Sequence, residues 1–159
     1  MHCAPTAPLG GKFKSMRNVE YIVIHCTGAP QTQSITVIKG FWKNTLKWNN
    51  VGYHKIIEAD GKVTELAKPD SITNGVAGKN SKSYHICYLG GQKGIDNRTQ
   101  EQKKSLLDEI KKARKLFPKA KIVGHRDLSK DLNADGIIQP NEWTKMCPSF
   151  DAIKEYSKI

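Results

Sequence analysis

The sequence predicts an α/β domain of mixed α+β type, a central mixed β-sheet flanked by helices. Short apolar runs of strand length, rich in β-branched residues, recur at 20–26, 83–89 and 121–124. Segments with the 3.6-residue apolar period of helices separate them. Two further short extended segments flank Ala59-Asp60-Gly61, a hairpin turn signal. Strands interleaved with helices, one hairpin among them, imply one sheet covered by helical layers.

Residues 1–18 carry Pro5, Pro8, Gly10 and Gly11 and predict an irregular arm ahead of a single domain over 19–159. Met1 to Met16 contain no hydrophobic h-region, so no secretory signal is expected. EYIVIHC at 20–26 predicts a buried strand. Ser34 is placed to cap a helix with Ile35, Ile38, Phe41, Trp42 and Leu46 on one face. Segments 53–58 and 62–66 form the hairpin, and 69–82, rich in Gly, Asn, Ser and Lys, a loop. A third buried strand ends at Gly90-Gly91. Thr99 and Gln102 make a capping box before the longest helix, 99–117, whose apolar positions are Leu106, Leu107, Ile110, Ala113 and Phe117. Pro118 stops it. The strand at 121–124 runs into His125, and a last helix comes after Ser149.

Composition excludes several classes. Of the 159 residues 38% are apolar and 26% charged, which excludes a disordered chain. No apolar run approaches the roughly 20 residues that span a bilayer, so membrane insertion is not expected. Four cysteines without a CxxC pair exclude a zinc ribbon and a disulfide-stapled miniprotein. Twenty-six Lys and Arg against 15 Asp and Glu give a net charge of +11, which favours polyanionic partners. Nucleic acid, acidic lipid and an anionic cell wall would all suit that charge, which does not choose among them, but no zinc finger, homeodomain-like helix set or RNP-type motif is present, so nucleic acid is not expected. With no coiled-coil pattern, a monomer is expected.

Three segments place metal-ligand residue types beside strand ends: IHCT at 24–27, GHRDL at 124–128 and KMCPSFD at 145–151. Two imidazoles and a thiolate suit zinc, and three protein ligands leave a fourth position for water. The alternative is that His25 and His125 are unrelated core or surface histidines. Strand alternation sends His25 and Cys26 to opposite faces, so only one of them reaches a common site.

The order V-I-H-C-T, V-G-Y-H with a following hairpin, Y-L-G-G, G-H-R-D-L and K-x-C-P-S-F-D resembles the zinc-dependent N-acetylmuramoyl-L-alanine amidases of the amidase-2 type. That group includes small phage lysozymes and is related to the peptidoglycan recognition proteins. The resemblance covers roughly residues 19–157. It implies zinc ligands at His25, His125 and Cys147, an active-site tyrosine at Tyr53 and a catalytic lysine at Lys145. It also implies hydrolysis of the amide between N-acetylmuramic acid and L-alanine in peptidoglycan, by an enzyme released at lysis or exported by another route. Two rival readings are a non-catalytic peptidoglycan-binding module of the same fold and a cysteine peptidase using Cys147 with His125 as base. His54, next to Tyr53 on a strand, is expected to face away from the site. His85 stands where related sequences often have glycine, and Val76 where some have a polar or His residue. Both put substrate contacts in question. Cys26 and Cys87 read as inert buried thiols, and Cys3 has no assigned role.

Between His125 and Cys147 lies an insert over 131–142. It matches a calcium loop of EF-hand type: Asp131, Asn133 and Asp135 at positions one, three and five, Gly136 at six, the carbonyl of Ile137 at seven and Glu142 at twelve. Calcium is therefore a second candidate metal beside zinc. The alternative is a polar loop of Asx turns satisfied without metal.

Overall fold

The computed structural model describes residues 16–159. Residues 1–15, most of the expected arm and Cys3 with it, lie outside the described residues. The five strands are β1 (Tyr21–Cys26), β2 (Lys55–Ile57), β3 (Val63–Glu65), β4 (Ser83–Tyr88) and β5 (Lys121–Gly124). They form one sheet in the order β3-β2-β4-β1-β5. β1 pairs in parallel with β4 and β5, β2 pairs in parallel with β4, and only the β2–β3 hairpin is antiparallel. The central strands are buried on both faces, as parallel strands under helices must be.

Helix α1 (Ile35–Gly40) starts where Ser34 accepts a hydrogen bond from the Val37 amide. It continues as a wider π-type turn over Phe41–Thr45, closed by Leu46 N donating to Phe41 O at 3.0 Å. The extra residue in that turn rotates the side chains beyond it about the helix axis. Ile38 and Trp42 face the sheet, while Phe41 (50% exposed), at the start of the turn, and Leu46 (39% exposed), beyond it, do not share the buried face expected of them. Helix α2 (Gln100–Leu116) carries the expected capping box, with both the Thr99 and Gln102 side-chain bonds formed. Leu106, Ile110 and Ala113 are its buried stripe. Helix α3 (Ala152–Glu155) is a single turn capped by Asp151.

Alternation along β1 divides the core. Ile22, Ile24 and Cys26 pack with α2 and α3 on one face, together with Ile86, Tyr88 and Phe150. On the other face Ile56, Cys87 and Leu89 pack with Ile38 of α1 and Trp42 of the π-type turn. Val23 meets Val76 and Val123 there as well. His25 shares this second face. It stands at the carboxyl end of β1, and His125 comes directly after the carboxyl end of β5, the edge at which open α/β sheets build their sites.

Candidate metal centre and cleft

His25 is the last site-facing residue of β1 and is fully buried. His125 opens a short 3-10 turn, His125–Leu128, at the end of β5. Cys147 comes from the segment that returns across the strand ends. Three contacts pin it there. Arg126 N donates to Cys147 O at 2.9 Å. The Tyr88 hydroxyl donates to Pro148 O at 2.6 Å. Pro148 also lies so close to Gly124 that a Cβ there would stand 2.6 Å from Pro148 Cδ, so glycine is needed at that strand end.

One ligand atom each from His25, His125 and Cys147 lies within 4.8 Å of the others, the only such cluster of His, Cys, Asp and Glu among the described residues. His25 Nδ1 and Cys147 Sγ are 3.8 Å apart. Nitrogen and sulfur at ordinary zinc distances and a tetrahedral angle stand about 3.6 Å apart, so the donor set and its spacing fit zinc. The Cys26 amide donates to Cys147 Sγ at 3.2 Å, an interaction that favours a thiolate. The Cys26 side chain turns to the opposite face, where its Sγ meets Ser149 Oγ at 3.6 Å. Cys26 stays outside the metal-sized cluster, but its thiol hydrogen-bonds with Cys147, a contact that brings Cys26 down to about 6, so it is not the inert thiol the sequence suggested.

Burial, and then the charges of His85, His125 and Lys145, push His25 well below its usual pKa. Burial followed by the charge of Lys145 brings His125 down to about 4. Burial pushes the Cys147 thiol up. Both imidazoles are therefore neutral near pH 7, the state a metal ligand needs.

A cleft of about 290 Å³ opens over this cluster, with Tyr53, Trp48 and Lys145 on its walls. It continues past Trp48 and Lys145 into a groove of about 560 Å³ lined by Val76, Lys79 and Leu128. The Tyr53 ring lies 4.9 Å from the His25 ring and edge-on to Trp42 at 5.4 Å. Burial, with the nearby Cys87, Cys147 and Cys26 sulfurs, raises the Tyr53 phenol well above its usual pKa, so it is present as a neutral hydroxyl. Lys145 is exposed at the rim. Of the five residues expected at the zinc site, Tyr53, His125, Lys145 and Cys147 line this cleft, and His25 lies buried beside it, 3.8 Å from Cys147 Sγ.

His54 faces away from the cleft, as expected. It is fully buried and stacks on Tyr84 at 4.5 Å. Its Nε2 lies 2.7 Å from Ser71 O, and its Nδ1 accepts from His85 N at 3.0 Å. Val76 is buried but also lines the groove. His85 is the residue whose place the sequence did not give. Its Nδ1 is 2.8 Å from His25 Nε2, the nitrogen of that ring turned away from the cluster. Its departure from the related pattern was the available signal, but its partner depends on strand register.

The calcium expectation finds no support. The carboxylates of the 131–142 loop belong to no metal-sized cluster. Their oxygens are instead engaged by the loop's own donors. Asp131 Oδ2 accepts from Gly136 N, Asp135 Oδ1 from Ile137 N, and Asp135 Oδ2 from the Gln139 amide. Asn133 Oδ1 accepts from Asp135 N. Glu142 spans the loop, with Oε1 accepting from Leu132 N and Asn133 N and Oε2 from Gln139 N. Asp131 Oδ1 alone among these oxygens is buried without a partner. Apart from that one oxygen, the loop matches the self-satisfied turn of the alternative reading.

The chain matches the model of the N-acetylmuramoyl-L-alanine amidase family over residues 15–148. It is 30% identical over 145 residues to the endolysin of Enterobacteria phage K11, covering 88% of this chain and 87% of that protein. Its fold superposes on the Ph2119 endolysin of a Thermus scotoductus bacteriophage with a TM-score of 0.65 at 26% identity, covering 82% of this chain and 77% of the other. PGRP-SA from Apis mellifera gives a TM-score of 0.67 at 18% identity over 91% of this chain and 84% of its own, a likeness of fold.

Proposed function

The chain belongs to the N-acetylmuramoyl-L-alanine amidase family, and from that premise we propose that it is a peptidoglycan hydrolase. It cleaves the amide joining the lactyl group of N-acetylmuramic acid to L-alanine of the stem peptide. The observation that carries this reading is the His25, His125 and Cys147 cluster at the floor of a cleft walled by Tyr53 and Lys145. His25, His125 and Cys147 hold a zinc ion, whose chemistry when bound is to acidify a water and polarise the scissile carbonyl.

The remaining work falls to the chain. Lys145, exposed at the rim and three-fold in N–H donors, hydrogen-bonds the oxygen that gains charge as the carbonyl becomes tetrahedral. Tyr53, a neutral hydroxyl held against His25 and Trp42, orients the attacking water and shares in proton transfer. The groove beyond Trp48 takes the stem peptide. The net charge of +11 holds the enzyme on anionic envelope polymers. Its place of action is the bacterial cell wall.

Digestion of purified peptidoglycan tests the reading. The digest should gain free L-alanine amines without new reducing sugar ends, and a chelator should stop this until zinc is returned. Cys147→Ser should lose both the metal and most of the hydrolysis while staying folded. New reducing ends would mark a glycosidase. Full activity after chelation would exclude the zinc mechanism, and binding of peptidoglycan without hydrolysis would leave a recognition module.

A further inference from the structure

His85 stands on β4 inside the sheet, fully buried, 60 residues from His25 in sequence and 2.8 Å from it in space. Donor and acceptor roles along its contacts determine one another. The Val76 amide can only donate, and it points at Asn80 Oδ1 at 2.7 Å, so that atom is the side-chain oxygen. An amide oxygen can only accept, so His85 Nε2, 3.1 Å from the same Oδ1, carries the hydrogen. A neutral imidazole carries one proton, which leaves His85 Nδ1 bare. His25 Nε2 must then donate to it, and His25 Nδ1 is left bare on the side of Cys147 Sγ.

The surroundings are built for this ring. Gly75 faces it with no side chain, and a Cβ at that position would lie 2.5 Å from His85 Nδ1 and 2.6 Å from its Cγ. The His85 amide is held by His54 Nδ1 at 3.0 Å, which fixes the strand on the ring's other side. A buried histidine needed only for packing would not require a matching gap, nor present its one acceptor to a ligand ring.

We infer that His85, anchored by Asn80, is a positioning residue that holds His25 in the tautomer and orientation in which Nδ1 is free to bind the metal. The inference rests on the zinc reading of the His25, His125 and Cys147 cluster. The second ring nitrogen of a metal-bound histidine is ordinarily tied to such an acceptor, and loss of that partner weakens metal binding by about 10- to 100-fold.

Three measurements on the full chain test it. In the metal-free protein, long-range proton–nitrogen correlation of the histidine rings should show His25 and His85 both protonated on Nε2. A His25 proton on Nδ1 would overturn the inference whatever the variants do. Zinc affinity by chelator competition should fall about 10- to 100-fold in His85→Phe, which keeps the ring's bulk but lacks the acceptor. It should fall less in Asn80→Ala and recover in part in His85→Gln, and the visible spectrum of the cobalt-loaded protein should shift in His85→Phe. Unchanged affinity in both His85→Phe and Asn80→Ala, with native melting curves, would overturn it. If the parent itself takes up no zinc, the zinc reading fails, whereas parent binding with unaltered variants removes the role of His85 alone.

Discussion

Arg98→Ala offers a measure of what holds the C-terminal segment that carries Cys147. The Arg98 side chain is only 1% exposed. Its guanidinium is bidentate to Asp96 at 2.9 Å and to Glu155 at 2.7 and 2.9 Å. It also lies 3.4 Å over the Phe150 ring, three residues beyond Cys147. Burial works against its charge, but the hydrogen bonds that Arg98 donates to Glu155 and Asp96 outweigh that and raise its pKa. Losing one partner of a fully buried pair costs about 3–5 kcal/mol. Here the carboxylates are 32% and 42% exposed and rehydrate once the arginine is gone, which lowers the cost. The stack on Phe150 and the stem packing add to it. The net expectation is about 2–3 kcal/mol, a fall in Tm of about 4–10 °C for a chain of this size. The pH dependence carries a second signature. Arg98 hydrogen bonds lower the pKa of both Asp96 and Glu155. Depressed carboxylates contribute stability that is present above their unfolded pKa, about 4, and is lost as pH falls through the folded values. The gap between parent and variant should therefore be full at pH 7 and narrow below about pH 4. Thermal melts of both proteins across that range provide the assay. Equal Tm at pH 7, or a gap that stays constant into acid, would show that this ion pair does not hold the segment.

Lys145→Ala and Tyr53→Phe should keep the zinc while turnover on peptidoglycan falls, for Lys145 by about 100-fold if it is the oxyanion donor; metal content read beside kcat checks this, and an unchanged kcat removes that residue from the chemistry. Millimolar calcium should leave the Tm of the parent unchanged, because the oxygens of Asp135 and Glu142 already accept from the loop's own donors. A rise in Tm that Asp135→Ala abolishes would restore the cation reading. Binding to cell walls should weaken steeply between about 0.05 and 0.5 M salt, as expected for attraction driven by the +11 charge.

Local chemistry made most of the fold legible. The Ser34 cap, the Thr99–Gln102 box and the Asp60-Gly61 turn each act within a few residues, and each formed where it was expected. Alternation separated His25 from Cys26 for the same reason. The features that escaped depend on pairing over long separations or on competition between near-equal arrangements. The π-type turn after Gly40 inserts one residue between Phe41 and Leu46 and so moves Leu46 off the buried face, and apolar periodicity cannot show that shift. His85 was visible as an anomaly, but its role is set by the Val23–His85 register of β1 on β4 and by the turn that delivers Asn80. The 131–142 motif encodes oxygens at fixed spacing. Whether they turn toward a cation or toward amides is decided by Glu142, which folds in to cap the loop.

The insert between His125 and Cys147 is closed at its base. Arg126 N reaches Cys147 O at 2.9 Å, Thr144 N reaches Ser129 Oγ at 3.0 Å, and the Arg126 guanidinium covers the Trp143 ring at 3.8 Å. With the neck of the loop tied off in this way, the residues beyond the neck are set apart from His125 and Cys147 on either side. Lengthening a loop already closed costs only about 0.6 kcal/mol per doubling. Residues 131–142 therefore form a natural socket, where a wall-targeting peptide or a fluorescent reporter can be grafted without retuning the catalytic centre beneath it.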